Sequence, residues 1–272
     1  MRIGIATKSS REEIIKLIER IYKELERKGV EVFVDSNLEG RIKGRFVHVS
    51  RMKNFDLVLA VGGDGTILSV ERRLSDGKTP ILGINFGLVG FLAELTSDEF
   101  FKYIDRIVAK KFRVEERLKI KVNLAEKRLP DALNEVVVLT AQPAKMLPLA
   151  LYVDDKLVEK IYTDGIIIAT PTGSTAYAMS AGGPIIDPRV DALVIVPICP
   201  FKLSIRPLVV PSDSRIRIRI AEPEKEAIVV VDGQVKKKIS QNNEVLVTKS
   251  ENKAYFARIK ERNFYEKVGM LK

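Results

Sequence analysis

The chain has 272 residues, a formal net charge of +10, and a globular composition of 46% hydrophobic and 30% charged residues, which excludes a disordered chain. One cysteine, Cys199, excludes an internal disulfide, and one histidine, His48, is too little for an ordinary zinc site. His48 lies in a polar, basic stretch typical of a loop, so a Ser-His-Asp triad is also set aside.

Residues 2–7 read as a strand rather than a leader peptide. The longest apolar runs, such as Ile166-Ile167-Ile168-Ala169, are too short to span a bilayer, so the expectation is a cytoplasmic protein with no membrane partner. Helical spacing of Ile14, Leu17, Ile18, Ile21 and Leu25 predicts a helix over 10–28, stopped by Gly29. Strands follow at 30–34 and 56–61, then the turn Gly62-Gly63-Asp64-Gly65-Thr66 opens a short helix through 74. A strand at 81–85 runs into Gly87-Leu88-Val89-Gly90, and a helix covers 97–110. Strands alternating with helices predict a doubly wound, mainly parallel sheet.

From about residue 112 the pattern changes to short β-branched runs at 118–124, 135–140, 149–153, 165–170, 192–197, 208–210, 215–220, 227–231 and 244–248. That spacing predicts an antiparallel sandwich or barrel. The expected organisation is an α/β domain over 1–112 and an all-β, sandwich-like domain over 113–252, with the tail 253–272 returning to the first. The positive charge is interleaved with acids along the chain, which reads as a solvated surface more readily than as a nucleic-acid footprint. The alternating Arg215-Ile216-Arg217-Ile218-Arg219-Ile220 is a strand with one wet face and one buried face.

Two clusters could carry chemistry. In an open α/β sheet, ligands bind at the carboxyl ends of strands, and the Gly62–Thr66 turn sits at one. Gly62, Gly63 and Gly65 let backbone N–H groups approach a phosphate, whereas Asp64 would repel it unless it binds a cation, accepts a proton or caps the helix. The sequence contains neither the Walker G-x-x-x-x-G-K-[ST] pattern nor a full G-x-G-x-x-G. The second cluster is the small-residue, hydroxyl-rich run from Asp164 to Pro184, able to bind a ribose or purine or to serve as a tight β connection. Asn134-Glu135 could grip vicinal hydroxyls or be a surface pair at a strand start. Asp232-Gly233-Gln234 reads as a type I′ hairpin, Cys199 as a small core residue, and Lys145 and Arg206 as surface cations able to touch phosphate.

In combination, Gly62-Gly63-Asp64-Gly65-Thr66, Asn134-Glu135, Asp164-Gly165 and Thr170-Pro171-Thr172-Gly173-Ser174-Thr175-Ala176-Tyr177 resemble the NAD kinase family. The segment 203–210 and Asp232-Gly233-Gln234 fit the same pattern, so the resemblance spans nearly the whole chain. The Gly-Gly-Asp-Gly turn is shared with lipid kinases and phosphofructokinases; the other motifs point to NAD. The resemblance implies transfer of a phosphoryl group from ATP or polyphosphate, with Mg²⁺ arriving on the donor, to the 2′-hydroxyl of the adenosine ribose of NAD. It implies Asp64 as proton acceptor, with Gly65 and Leu68 lining the pocket and Gly62, Gly63 and Gly65 at the donor phosphates. Asn134 and Glu135 would hold ribose hydroxyls, and Thr172, Thr175, Ala176, Tyr177, Ala178, Met179 and Ser180 would surround the adenosine half. Asp164 would reach the nicotinamide end from a neighbouring subunit, implying a homo-oligomer, dimer or tetramer. Cys199 would lie near the adenine, and Gln234, Lys145 and Tyr162 would touch substrate. Phe201 stands where the family often has His, Ser69 where relatives are often basic, and Lys145 and Tyr162 where bacterial relatives carry Arg and His. The sequence offers no dedicated protein ligand set for a metal.

Other readings weighed on the same residues are a lipid kinase, which would want an exposed apolar patch by the site, and a nucleic-acid binder, which would want interleaved aromatic and basic residues. Trp is absent and aromatics are 7% of the chain.

Overall fold

The computed structural model describes residues 1–74, 77–86, 90–124, 127–241, 243–261 and 264–269; Gly87, Leu88 and Val89 of the glycine-bounded segment lie outside them. The chain divides into two compact units, Met1–Glu116 with Ala254–Lys272, and Arg117–Lys253. Among the described residues no helix is long and apolar enough to cross a membrane.

The first unit runs β1 (Arg2–Ala6), α1 (Glu12–Arg27), β2 (Glu31–Asp35), β3 (Phe46–Val47), β4 (Leu57–Val61), α2 (Asp64–Leu74), β5 (Ile81–Asn85), β6 (Leu95–Thr96) and α3 (Ser97–Val108). Its strands pair in parallel in the order β5-β4-β1-β2-β3, with β6 joined to β5. Parallel strands need crossover helices, and those helices bury both sheet faces, so β4 is an unbroken apolar run and every residue of β5 is buried. On one face Ile14, Ile18 and Ile21 of α1 and Phe100, Ile104 and Ile107 of α3 pack with Ile3, Ile5, Leu57, Leu59 and Val61. Thr96 and Glu99 form a capping box that starts α3. The helix α2 lies against the 3₁₀ turn Val49–Met52. His48 is exposed and caps that turn, its ring accepting from the Ser50 N–H at 3.3 Å.

The second unit follows with β7 (Arg113–Leu124), β8 (Lys127–Arg128), β9 (Glu135–Thr140), β10 (Leu147–Val153), β11 (Lys156–Thr163), β12 (Gly165–Ala169), α4 (Tyr177–Ser180), β13 (Ala192–Ile198), β14 (Leu208–Pro211), β15 (Ile216–Ile220), β16 (Glu226–Val231), β17 (Val235–Ser240) and β18 (Glu244–Arg258). A six-stranded antiparallel sheet has the order β14-β13-β12-β9-β16-β17, and a second antiparallel sheet contains β11-β10-β15-β18. Val136, Val138, Ile166, Ile168, Leu193 and Ile195 from the first sheet share a core with Leu149, Leu151, Ile216, Ile218, Val245 and Val247 from the other. This is a sandwich. The other face of the six-stranded sheet is covered by Ala178 and Ile186 over Val137, Ile167, Val194 and Val196. The strand β15 has the alternating burial its Arg/Ile sequence predicts.

The two-residue strands β3, β6 and β8 and the longer β11 and β17 have no counterpart in the sequence reading, and β18 is far longer than the apolar run at 244–248. The end of β18 belongs to the first unit, where Phe256 pairs in parallel with Ile81 of β5. A last helix, α5 (Phe264–Gly269), is in the same unit and has no buried residue.

Candidate active site

In the first unit, β4 delivers the chain to Gly62, whose φ of +146° is open to glycine and rarely to other residues. The Gly62 N–H donates to the Ile84 carbonyl at 2.9 Å, tying the turn to the end of β5. Asp64 begins α2, which Ile67, Leu68, Val70 and Leu74 anchor by burial; Leu68 is thus a packing residue and Ser69 is buried beside it. Gly63 and Gly65 are exposed, and a Cβ at either would meet nothing within 4 Å. The backbone at Gly63 and Gly65 is therefore open to an approaching anion, with the positive end of the helix dipole behind it.

The Asp64 carboxylate does not cap its own helix. Oδ2 accepts from the Phe91 N–H at 2.8 Å and Oδ1 from the Leu92 N–H at 3.2 Å. Those bonds fix the carboxylate against a backbone segment 27 residues away. Gly90 makes the approach possible, because a Cβ there would land on the Asp64 carboxyl group itself. Gly90→Ala is therefore expected to displace Asp64 and to cut kcat by at least about tenfold, since misplacing a reacting group by 1 Å commonly costs more. Steady-state kinetics with an unchanged unfolding midpoint would confirm it.

In the second unit, Asn134 and Glu135 enter β9 as buried polar residues, 8% and 6% exposed. Asn134 Oδ1 and Glu135 Oε2 are buried and have no hydrogen-bond partner in the protein. Such atoms are costly to leave unsatisfied, and the burial of both residues excludes the surface-pair reading. The segment is held by Asp232, which accepts from the N–H groups of Leu133 (2.9 Å), Asn134 (2.8 Å) and Glu135 (3.0 Å). Asp232 and Gly233 have φ of 48° and 65°, as both central positions of a type I′ turn require, so the hairpin reading holds. The hairpin also supplies a carboxylate that the sequence did not mark as part of the site.

Burial pushes the Asp232 carboxyl up, against the pull of three amide donors and the Lys119 ammonium. Its own burial and then the neighbouring Asp232 charge push Glu135 up to about 8. Glu135 thus carries a proton at neutral pH and can donate a hydrogen bond, as an ionised carboxylate cannot. Arg117 is buried too and donates to Thr172 Oγ1 at 3.2 Å.

The hydroxyl-rich run is mostly occupied with its own backbone. Thr170 Oγ1 donates to the Leu133 carbonyl at 2.6 Å, Ser174 Oγ to the Pro171 carbonyl at 2.7 Å, and Thr175 Oγ1 to the Thr172 carbonyl at 3.3 Å. The Thr170 N–H donates to the Asn134 carbonyl at 2.9 Å, so the run is laid against the Asn134-Glu135 segment. A Cβ on Gly173 would land on the Asn134 carbonyl oxygen, and backbone cannot step aside cheaply. Gly173→Ala is expected to cost about 1–3 kcal/mol of stability, readable by urea denaturation.

Ala178 is buried in the core behind the six-stranded sheet, whereas Tyr177 and Ser180 are exposed and Ala176 and Met179 half-buried. Asp164 is half-buried, its N–H donating to the Ile198 carbonyl at 3.0 Å, which brings it beside the Cys199 end of β13. Cys199 is exposed with φ of 47°, so it is no core residue: the chain turns out of β13 at that point. Tyr162 is exposed on β11 and donates to Glu222 at 2.7 Å, a bond that pushes its phenol up. Lys145 is exposed, and Gln234 lies in the β16–β17 turn. Arg206 is exposed, its guanidinium turned to the carbonyls of Leu203 and Ile205. Among the described residues no group of three His, Cys, Asp or Glu side chains is placed to hold a metal ion.

The first unit thus holds a carboxylate fixed at a glycine-rich strand-to-helix turn, and the second holds buried polar atoms without a protein partner. The family model of the ATP-NAD kinase N-terminal domain matches residues 3–112, and that of the C-terminal domain matches 133–259. An NAD kinase of Methanosphaera stadtmanae is 48% identical over 271 residues, covering 98% of each chain. The solved structure of an NAD kinase from Archaeoglobus fulgidus in complex with ATP is similar at 34% identity and TM-score 0.80, over 99% of this chain and 98% of that one. A yeast NADH kinase complexed with NADH shares the fold, with TM-score 0.90 at 24% identity over 100% of this chain and 87% of that one. The chain belongs to the NAD kinase family. It is a phosphotransferase acting on NAD, and NADP is the product that the family makes.

Proposed function

We propose that the phosphoryl group goes from ATP to the 2′-hydroxyl of the adenosine ribose of NAD, with Asp64 accepting the hydroxyl proton. Inorganic polyphosphate is retained as a second donor. The observation that carries the ribose reading is the pair of buried atoms Asn134 Oδ1 and Glu135 Oε2 without a protein partner. Vicinal ribose hydroxyls both donate and accept, and a protonated Glu135 beside Asn134 offers the complementary set. Thr172, Thr175, Ala176, Tyr177, Ala178, Met179, Ser180 and Cys199 are assigned to the adenosine half, Ala178 as support from the core. Gln234, Lys145 and Tyr162 are assigned as further substrate contacts.

A ribose hydroxyl is a weak nucleophile at neutral pH, so a positioned carboxylate is the main contribution the chain has to make. Gly62, Gly63, Gly65 and the α2 N-terminus are assigned to the donor phosphates, with Leu68 packing beneath them. The ATP held by the Archaeoglobus relative supports ATP as donor. Mg²⁺ or another divalent cation is assigned to the donor phosphates.

We also assign a homo-oligomer, dimer or tetramer, in which Asp164 is offered to a neighbouring copy's NAD. Support comes from the edge strand β14 and the turn before it, where Phe201, Leu203 and Val209 are 72%, 86% and 55% exposed. The single free thiol fits a reducing compartment, and we place the enzyme in the cytoplasm.

The test of the chemistry is phosphorus NMR of the product made from Mg-ATP and NAD, together with 2′-deoxyadenosine NAD as substrate. A 2′-phosphomonoester and no turnover of the deoxy analogue are expected; turnover of that analogue would overturn the assignment of the acceptor hydroxyl.

A further inference from the structure

We propose that Lys267, on the C-terminal helix α5, is a positioning residue that holds the Asp64 carboxylate through the peptide group joining Phe91 to Leu92. The proposal rests on the reading of Asp64 as proton acceptor and adds a residue far along the chain to it.

The geometry is a relay across one peptide unit. The Leu92 N–H donates to Asp64 Oδ1 at 3.2 Å, and the carbonyl of that same peptide, Phe91 O, accepts from Lys267 Nζ at 2.9 Å. In a trans peptide the N–H and C=O point in opposite directions, so the ammonium and the carboxylate sit on opposite ends of one dipole. A cation on the carbonyl polarises the peptide and strengthens the N–H as a donor to the carboxylate. The same ammonium donates to Ala93 O at 2.8 Å, and Arg258 Nη1 donates to Leu92 O at 3.0 Å. Three successive carbonyls, 91 to 93, are thus drawn towards cations of the C-terminal segment, while the amides of Phe91 and Leu92 are left pointing at Asp64.

The character of α5 supports a positioning role over a packing one. No residue of the helix is buried, and its Phe264 lies beside Phe91 with ring centroids 6.3 Å apart. A helix that buries so little adds little to global stability, yet it delivers a cation to the backbone that orients the reacting carboxylate. Loss of that cation leaves Phe91 O and Ala93 O to water and lets the 91–93 segment rotate, so Asp64 loses its fixed aim.

The experiment uses the full-length chain in four forms: wild type, Lys267→Met, Lys267→Arg and Asp64→Asn, plus the double variant Asp64→Asn with Lys267→Met. Lys267→Met is expected to lower kcat about tenfold, the size of one coupled contact, with KM for NAD and the thermal midpoint unchanged. Lys267→Arg should restore most of the loss. In the Asp64→Asn background Lys267→Met should cost nothing further, because the residue acts through Asp64. Wild-type kcat in Lys267→Met overturns the proposal, as does an equal loss in both backgrounds or a loss that tracks a lowered thermal midpoint. Near-wild-type activity of Asp64→Asn alone would instead overturn the proton-acceptor reading, which keeps the two failures apart.

Discussion

Asp64→Asn is expected to lower kcat by about 10²- to 10⁴-fold, the usual contribution of a positioned general base, while NAD affinity stays within about twofold. The substitution is nearly isosteric. Its amide oxygen can still accept one of the two backbone donors, Phe91 N–H or Leu92 N–H, which now hold the carboxylate at 2.8 and 3.2 Å. The amide nitrogen cannot accept the other, and neither atom can take a proton from a hydroxyl. The defect therefore falls on the chemical step. Single-turnover kinetics with saturating NAD, beside calorimetric NAD titration, separate the two quantities. A variant with normal turnover would mean that some other group takes the proton.

The second large effect concerns Glu135. Glu135→Ala removes a hydrogen bond to substrate and is expected to weaken NAD binding by about 2 kcal/mol, some thirtyfold. Glu135→Gln should lose far less at neutral pH, because an amide NH₂ donates where the protonated carboxyl did. The difference between them is a pH signature. With its carboxyl pushed up to about 8, Glu135 is the neutral donor below that pH and an anion beside Asp232 above it. Wild-type KM for NAD should therefore rise through pH 8, whereas the Gln variant should stay flat across the same range. Stability carries the matching sign. The unfolded carboxyl titrates near 4.5 and the folded one near 8, so between those values the folded chain binds more protons. The contribution is complete below pH 4.5 and is lost as pH rises towards 8. A wild-type midpoint that is level from pH 5 to 8, with Glu135→Gln equally level, would contradict the neutral Glu135.

The architecture was legible in the sequence wherever burial wrote a period. The helix α1 announced itself through Ile14, Leu17, Ile18, Ile21 and Leu25, all of which the structure buries. The strands β5 and β9 run over Ile81–Asn85 and Glu135–Thr140, the ranges their apolar runs imply. Two edge strands gave no signal, although the edge strand β14 did at 208–210. Lys156–Thr163 and Val235–Ser240 each lie at the border of a sheet and are mostly exposed, so their Lys and Glu residues mask the alternation. The strand β18 continues through Ser250-Glu251-Asn252-Lys253, polar residues that give no strand signal. Ser250 and Asn252 are there because both donate to the buried Asp131 carboxylate, which those bonds and Arg128 hold below its ordinary range against its burial.

The site was legible as motif and illegible as mechanism of support. The turn at Gly62 stood out by the glycines around its aspartate, and the Asn134-Glu135 pair only in combination with the other motifs. Gly90 was visible only as punctuation after a strand, although a Cβ there would meet the Asp64 carboxylate. Asp232 looked complete as a hairpin residue, and nothing local marks the three amides it holds about a hundred residues away. Lys119, inside the run read at 118–124, and Arg117, just before it, are buried cations beside that cluster. Long-range polar contacts of this kind have no period and no spacing, so a single sequence does not show them.

The most direct test of the account is NADP formation by the purified chain from Mg-ATP and NAD, followed with an NADP-specific dehydrogenase. NADP is expected in amounts stoichiometric with the phosphoryl donor consumed, abolished to near background in Asp64→Asn. Absence of NADP with either ATP or polyphosphate, from a folded chain that binds NAD, would contradict it.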